Sequence, residues 1–187
     1  RMSQILILNG GPRQNGNTAE LIRAFREGAG KEGNTVQEFD LQSLPLHGCL
    51  SCGQCGKNGR PCVQQDAMEE IYPAFQKAEV IVLASPVYFA FVTGPLLTAI
   101  NRLFALWQTL SPEQLRSKQS VLLLTANQPG WCPDPVNWYH RLFTQAMGWK
   151  DLGVVYGHGS LYGKGKVEDP ESAAAARKIG EAIGETC

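Results

Sequence analysis

Short apolar runs alternate with stretches of helical periodicity along the whole chain. Candidate strands lie at residues 5–8, 35–40, 79–86, 120–126 and 152–157. Four of these five runs are almost continuously apolar, which is typical of strands buried on both faces of a parallel sheet. Apolar residues between the strands recur every three or four positions, so each connection contains a helix. Five strands alternating with five helices predict one doubly wound α/β domain over residues 1–187.

Helix start signals support this division. Asn17 with Glu20, and Asp66 with Glu69, have the spacing of a capping box. Proline follows the candidate first residue at Gly94-Pro95, Asp134-Pro135 and Asp169-Pro170. In a doubly wound sheet, ligands bind beyond the carboxyl ends of the strands. The loops expected to carry the site are therefore residues 10–17, 41–65, 85–94, 127–134 and 157–168.

The balance of charges changes this picture little. Seventeen basic residues match seventeen acidic ones, and 43% of the 187 residues are hydrophobic. A chain without net charge has no overall field that attracts nucleic acid or an anionic membrane. No apolar run approaches the length of a membrane span, and no secretory leader is evident. We therefore expect a cytoplasmic protein with neither nucleic acid nor membrane as a partner.

The loop "NGGPRQNGNT" joins the first strand to the first helix and predicts an anion site. Gly11 and Gly16 have the spacing of a nucleoside-triphosphate loop, but Asn17 stands where that loop requires lysine. The glycines do not fit the dinucleotide pattern either. Side-chain donors remain at Arg13, Asn15, Asn17 and Thr18. With the backbone amides of a helix N-terminus, they suit one terminal phosphate monoester. The alternative is a plain strand-to-helix turn.

Two further segments predict the walls of a planar ligand. The third strand runs into Pro86, Val87, Tyr88 and Phe89, which offer flat apolar surfaces and backbone polar groups. The loop that begins at Asn127 follows the fourth strand, so it should reach the other side of the same ligand. Trp131 in that loop covers the ligand or a partner subunit, or it folds onto its own loop. For Phe91, a place in the core is the stronger expectation.

Together, "NGGPRQNGNT" and "SPVYFAFVTGPLLTAINR" resemble the NAD(P)H-dependent FMN reductase family. The resemblance extends to about residue 105 and implies a flavodoxin-like three-layer sandwich, with a five-stranded parallel sheet of order 2-1-3-4-5. It implies that the loop residues Gly11, Arg13, Asn15, Gly16, Asn17 and Thr18 hold the FMN phosphate. By the same resemblance Pro86, Val87, Tyr88 and Phe89 line the ring; Asn127 joins them as a candidate from the position of its loop after the fourth strand. Gly11 replaces the family's serine, so one hydroxyl contact is in doubt.

The activity implied is that of an FMN-dependent oxidoreductase. It takes a hydride from NADH or NADPH and passes electrons to a small acceptor such as a quinone or a nitroaromatic compound. The flavin performs the chemistry, which agrees with the absence of any catalytic acid–base pattern. The alternative is an iron–sulfur flavoprotein that serves as an electron carrier or redox sensor. A homodimer or tetramer is expected, because a chain this small seldom encloses a tricyclic ring alone.

Four of the six cysteines are clustered as Cys49-x2-Cys52-x2-Cys55-x6-Cys62. This spacing resembles the compact motif of iron–sulfur flavoproteins, which bind a [4Fe–4S] cluster beside FMN, and tight C-x2-C-x2-C runs suit such clusters. The alternatives are reduced thiols, a labile disulfide or, less well matched by the spacing, a zinc module. Because the segment follows the second strand, we expect it at the flavin edge.

Overall fold

The sheet has the predicted topology. The computed structural model describes residues 2–31, 33–128, 130–159 and 169–183. Its strands are β1 (Gln4–Asn9), β2 (Thr35–Asp40), β3 (Val80–Pro86), β4 (Gln119–Ala126) and β5 (Lys150–His158). All neighbouring strands pair in parallel, in the order β2-β1-β3-β4-β5. The predicted flavodoxin-like sheet is confirmed.

The helices are more divided than the sequence pattern predicts. They are α1 (Asn17–Lys31), α2 (Met68–Lys77), α3 (Gly94–Arg102), α4 (Phe104–Thr109), α5 (Pro112–Arg116), α6 (Asp134–Tyr139) and α7 (Pro170–Glu181). The helix predicted through Met147 widens after α6 into a π-helical segment at His140–Ala146. The short α5, which a capping box between Ser111 and Gln114 opens, was not predicted. No helix in the described ranges is both long and apolar enough to cross a bilayer.

Each strand contributes alternate residues to two cores. Ile5 and Ile7 of β1 pack beneath α1 and α7, whereas Leu6 and Leu8 face the side that carries α2 and α3. Both faces of the sheet are therefore covered, which explains why its strands are nearly continuous apolar runs. The result is the expected three-layer sandwich.

Close backbone contact fixes α1 beside α7. A Cβ atom at Gly28 would lie 2.1 Å from the carbonyl oxygen of Arg177, and one at Gly180 would lie 2.3 Å from that of Phe25. Only glycine at both positions allows the two helices to approach so closely. This contact sets the position of α1, and therefore of its N-terminus at the carboxyl edge of the sheet.

The start of α2 is predicted at the right place but with the wrong partners. Asp66 accepts a hydrogen bond from the backbone of Met68 at 3.1 Å, but the residue that immediately precedes α2 is Ala67, which makes no side-chain cap hydrogen bond. Glu69, the other half of the predicted capping box, instead pairs with Arg60 at 3.2 Å. The Asp66 carboxylate is occupied by the buried guanidinium of Arg102, a long-range contact that local spacing cannot reveal.

Candidate functional site

The loop before α1 is held tightly at the carboxyl edge of the sheet. The backbone N–H of Gly10 donates to the carbonyl oxygen of Ala84 at 2.8 Å, and the Thr93 hydroxyl donates to the carbonyl oxygen of Gly10 at 2.8 Å. A Cβ atom at Gly10 would lie 2.5 Å from the Thr93 oxygen. Glycine here lets the loop lie directly against β3 and the start of α3.

Beyond this anchor the chain turns into α1. The N–H of Gly11 donates to the side chain of Asn9 at 2.8 Å, and the N–H of Gly16 donates to the carbonyl oxygen of Arg13 at 3.2 Å. Asn17 and Thr18, the first residues of α1, are buried. The first N–H groups of a helix have no partner inside it, and they carry the positive end of the helix dipole. The arrangement can bind an anion.

The predicted loop residues come together with the predicted ring residues. One cavity at the start of α1 is lined by Gly11, Pro12, Arg13, Gly16, Asn17, Thr18, Pro86, Tyr88 and Thr125. Asn15 is exposed in the same loop and lies outside this lining. Five of the six predicted loop residues therefore face the cavity.

Thr125 of β4 was missed by the sequence reasoning. Its hydroxyl oxygen lies 2.9 Å from that of Thr18, and its carbonyl oxygen accepts from the N–H of Val87 at 2.7 Å. Thr125 thereby joins the start of α1 to the end of β3. Its signal in the sequence is a hydroxyl residue at the carboxyl end of the strand next to β3.

Asn17 carries a buried polar atom without a partner. Its Oδ1 makes no hydrogen bond with any described residue, and leaving such an atom unpaired costs about 1–3 kcal/mol. Rotating the amide by half a turn exchanges its oxygen for a donor N–H. A Cβ atom at Gly159 would lie 2.2 Å from the Asn17 side chain, so glycine at the end of β5 makes room for it. The side chain is available to a ligand.

The cavity continues into a longer channel. The next part is lined by Arg13, Asn17, Pro86, Val87, Tyr88, Thr125, Ala126, Asn127 and Gly159. The last part, of about 550 Å³, is lined by Val87, Tyr88, Phe89, Asn127, Gln128 and Trp131. Because neighbouring parts share residues, we call the whole the carboxyl-edge groove. Asn127 and Trp131 line this last part together with Val87, Tyr88 and Phe89. The predicted rim at residues 160–168 lies outside the described residues.

One wall of the groove is a tight turn with unusual backbone. Tyr88 and Phe91 exchange hydrogen bonds of 2.9 and 3.1 Å, and between them Phe89 and Ala90 have φ of 51° and 71°. Such a turn ordinarily uses asparagine and glycine at these two positions, because other residues are strained at positive φ. Phe89 is also fully exposed, at 106%. Strain and exposure of this kind are concentrated at ligand sites.

The turn is connected to the opposite wall through Cys132. The Cys132 thiol donates to the carbonyl oxygen of Ala90 at 3.0 Å, and its own carbonyl oxygen accepts from the Tyr156 hydroxyl at 3.2 Å. Phe91 packs against the core, with its ring centroid 5.5 Å from that of Trp138. These contacts fix the distance between the two walls of the groove.

The four clustered cysteines occupy a second place in the fold. Cys49 and Cys52 are exposed, Cys55 and Cys62 are partly buried, and all four are free thiols. Left-handed backbone occurs five times within the segment, at Ser51, Gly53, Gly56, Asn58 and Gly59. Glycine at three of these positions lets the chain curl tightly. We call residues 47–62 the cysteine loop.

The thiols lie within electrostatic reach of one another. The pKa of Cys55 is raised by burial and by the neighbouring Cys62, Cys49 and Cys52, in that order. In the described ranges, no group of three or more His, Cys, Asp or Glu side chains is arranged to hold a metal ion. A four-iron cluster is larger than a single ion and takes four thiolates around its surface. The donor chemistry of the loop is that of thiolate ligands.

The cysteine loop does not line the carboxyl-edge groove. Cys49 lines a separate apolar groove of about 520 Å³ with Ile100, Asn101, Leu103, Phe104, Trp107, Leu142, Phe143, Ala146 and Met147. The two grooves share no lining residue. Phe104 is 54% exposed there, and it is the first residue of α4, which follows α3 after Leu103.

Comparison with known proteins identifies the family. The family model described as NADPH-dependent FMN reductase matches residues 3–130. An iron-sulfur flavoprotein from Archaeoglobus fulgidus is 29% identical over 175 residues, which cover 93% of this chain and 77% of that protein. Iron-sulfur flavoprotein MJ1083 from Methanocaldococcus jannaschii is 31% identical over 99 residues, which cover 53% of this chain and about half (51%) of that protein.

Solved structures agree with the fold. An FMN-dependent NADH-azoreductase from Bacillus anthracis in complex with FMN has a TM-score of 0.67 at 15% identity, covering 97% of this chain and 98% of that one. An NAD(P)H:quinone oxidoreductase from Methanothermobacter marburgensis has a TM-score of 0.63 at 14% identity, covering 98% and 97% of the two chains. At these identities the likeness concerns the fold alone.

Relieving the turn tests whether it is strained. We expect Phe89→Asn with Ala90→Gly to raise the free energy of unfolding of the ligand-free protein by about 1 kcal/mol, because both residues then suit positive φ. Urea unfolding measures it. Phe104→Asn is the control. It also replaces an exposed phenylalanine with asparagine, but Phe104 has helical backbone, so this variant should not be more stable than the parent protein. A double variant that is no more stable than the parent would show that the turn stores no strain.

Proposed function

Because this chain belongs to the NADPH-dependent FMN reductase family, we propose that the carboxyl-edge groove holds FMN. The family assignment makes the chain a flavin oxidoreductase. The observation that supports the placement is the continuity of the groove, which leads from a helix N-terminus to an apolar cavity of about 550 Å³. FMN has a phosphate at one end and a planar ring at the other, so its site requires an anion-binding end and a flat apolar cavity.

The phosphate would lie at the start of α1. Its partners there are the N–H groups of the first helical turn, the Arg13 guanidinium, and the side chains of Asn17 and Thr18. The unpaired Oδ1 of Asn17 marks a side chain that the described residues do not satisfy. Gly11 supplies no hydroxyl, and its N–H is already bound to Asn9 at 2.8 Å. The serine contact of the family pattern is therefore absent here.

The ring would lie in the larger cavity. Val87, Tyr88 and Phe89 form one wall, and Asn127, Gln128 and Trp131 form the other. The amide side chains of the second wall provide donors and acceptors for the heteroatoms of a planar ring. The aromatic side chains provide flat apolar contact and exclude water.

When bound, FMN supplies the capacity to accept a hydride and to release electrons. The chain contributes binding and orientation: the lining of the groove, within the described residues, contains no histidine or carboxylate. NADPH or NADH is the proposed donor. A small planar acceptor such as a quinone or nitroaromatic compound fits the open aromatic end, where Phe89 and Trp131 are exposed.

A charge beside the phosphate tests its position. Asn17→Asp should weaken FMN binding at least about tenfold, because it removes a donor to a charged group and adds a like charge. Titration of the apoprotein with FMN, followed by flavin fluorescence, measures the dissociation constant.

Asn15→Asp is the matched control in the same loop. We expect a smaller loss, because Asn15 is exposed and does not line the groove. Equal losses for the two variants would contradict a phosphate site at the start of α1, because Asn17 would then be no closer to the phosphate than Asn15. Thermal melting of both variants establishes that they are folded.

The cysteine loop is the second proposed cofactor site. We infer that Cys49, Cys52, Cys55 and Cys62 ligate a [4Fe–4S] cluster. The support is the curled backbone at five positions, the mutual electrostatic effect of the thiols, and relatives that are named iron-sulfur flavoproteins. Free thiols and such clusters both suit a reducing compartment, so we propose a cytoplasmic location.

Metal analysis tests this site. Protein purified without oxygen should contain about four iron and four acid-labile sulfide ions per chain, the composition of this cluster type. Cys55→Ser should lose most of both, whereas Cys132→Ser, which replaces a cysteine outside the loop, should retain them. Parent protein with bound flavin but no iron would leave the four cysteines as unoccupied thiols.

An electron carrier or redox sensor is the second candidate function, which the cysteine loop favours. Rapid mixing with NADPH and with NADH distinguishes this function from that of a nucleotide-dependent oxidoreductase. We expect loss of oxidised flavin absorbance within the turnover time for at least one nucleotide, because the aromatic end of the groove is open. If neither NADPH nor NADH reduces the flavin but dithionite does, the protein is an electron carrier or redox sensor.

A second copy of the chain is the proposed partner. Leu50, Phe104 and Trp107 are exposed by 66%, 54% and 41% around the apolar groove beside Cys49, and exposed patches of this kind mark interfaces. We expect light scattering to give the mass of a homodimer or tetramer. Trp107→Asp should shift the measured mass toward that of the monomer. A parent protein that is monomeric at micromolar concentration contradicts this.

A further inference from the structure

Arg102, at the end of α3, lies in a buried ion pair. Its two terminal nitrogens contact the two oxygens of Asp66 at 2.6 and 3.1 Å, and both side chains are only 1% exposed. Burial opposes the charge of each partner, but the hydrogen bonds between them raise the pKa of Arg102 and lower that of Asp66. The pair is therefore ionised inside the protein.

The same guanidinium reaches both ends of the cysteine loop. Nη1 donates to the carbonyl oxygen of His47 at 2.7 Å, and Nη2 donates to the sulfur of Cys62 at 3.6 Å. Asp66 accepts the backbone N–H of His47 at 3.0 Å. One ion pair thus holds His47, two residues before the first cysteine, and the last cysteine itself.

A buried hydroxyl lies near the same sulfur. The Tyr72 hydroxyl donates its proton to the carbonyl oxygen of Arg102 at 3.1 Å. Burial raises the pKa of Tyr72, and the neighbouring Cys62 adds to the rise. Within the described residues, Cys62 is the one of the four cysteines whose sulfur accepts a hydrogen bond from a side chain.

This arrangement is costly if its only purpose is packing. Taking two charges out of water costs several kcal/mol per ion, and apolar residues of similar volume often stabilise a core equally well. The Nε of Arg102 is buried and has no partner within the described residues. The pair makes sense where a fixed geometry is required, because a planar fork determines direction as well as distance.

We propose that Arg102 is the positioning residue of the cysteine loop: it fixes the separation of His47 and Cys62 and directs an N–H at the Cys62 sulfur. The effect of Arg102 on the geometry of the loop does not require a bound cluster. The effect on a bound cluster rests on the proposed function: hydrogen bonds to cluster sulfurs stabilise the reduced form and raise the reduction potential.

Three variants of the full chain test the proposal. Arg102→Lys keeps the charge but loses the fork. Arg102→Met with Asp66→Asn removes both charges together, so that no unpaired charge remains in the core. Arg60→Met is the matched control, because it removes an arginine from the same loop whose pair with Glu69 is half exposed. FMN binding, which takes place in a groove that shares no residue with the loop, shows that each variant is folded.

Amide hydrogen exchange tests the loop in protein freed of any metal. The double variant should exchange residues 47–62 about tenfold faster than the parent, and Arg102→Lys should lie between them, whereas Arg60→Met should match the parent. Protection of the loop that is the same in all four proteins would overturn the proposal.

The loaded protein provides a second, independent readout. Chelator should remove iron roughly 10- to 100-fold faster from the double variant, the usual range for loss of a supporting hydrogen bond at a metal site. The midpoint potential of the cluster should fall. If both Arg102 variants release iron at the rate of the parent and have the same cluster midpoint potential, the proposal is contradicted. A parent chain that binds no iron even after anaerobic reconstitution would refute the cluster, while hydrogen exchange would still decide the role of Arg102.

Discussion

The reversal of strand order at β1 is the constraint on which the rest of the structure depends. β1 lies between β2 and β3, so the chain leaves it over one face of the sheet and leaves β3 over the other. The loops after these two strands must therefore separate, and a groove opens between them. Gly28 and Gly180 fix α1 on its face, and Gly10 fixes the loop against Ala84 and Thr93. Sheet topology decides where the groove lies, and these contacts bring a helix N-terminus into it.

Helix α3 connects the two proposed cofactor sites. It begins where Thr93 binds both Gly10 and Ser85, and it ends where Arg102 binds Asp66 and Cys62. Nine residues of helix extend about 14 Å. The proposed flavin site and the cysteine loop are thus attached to opposite ends of one rigid element, although their grooves share no residue. A change at either end has a physical route to the other.

Local patterns were sufficient for the sheet and for much of the groove. Continuous apolar runs identify four buried strands, and the residues predicted in the loop before α1 include five that line the groove. Thr125, Gly159 and the Asp66–Arg102 pair could not be predicted in this way, because each depends on residues far apart in sequence. The spacing of Asp66 and Glu69 even suggests a capping box, which the buried arginine prevents.

The proposed function places a flavin in the carboxyl-edge groove and an iron–sulfur cluster in the cysteine loop of one chain. The ultraviolet–visible spectrum of protein purified without oxygen tests both cofactors at once. We expect the two structured bands of bound flavin above a broad cluster absorption that dithionite bleaches. A colourless protein that does not bind added FMN would contradict it.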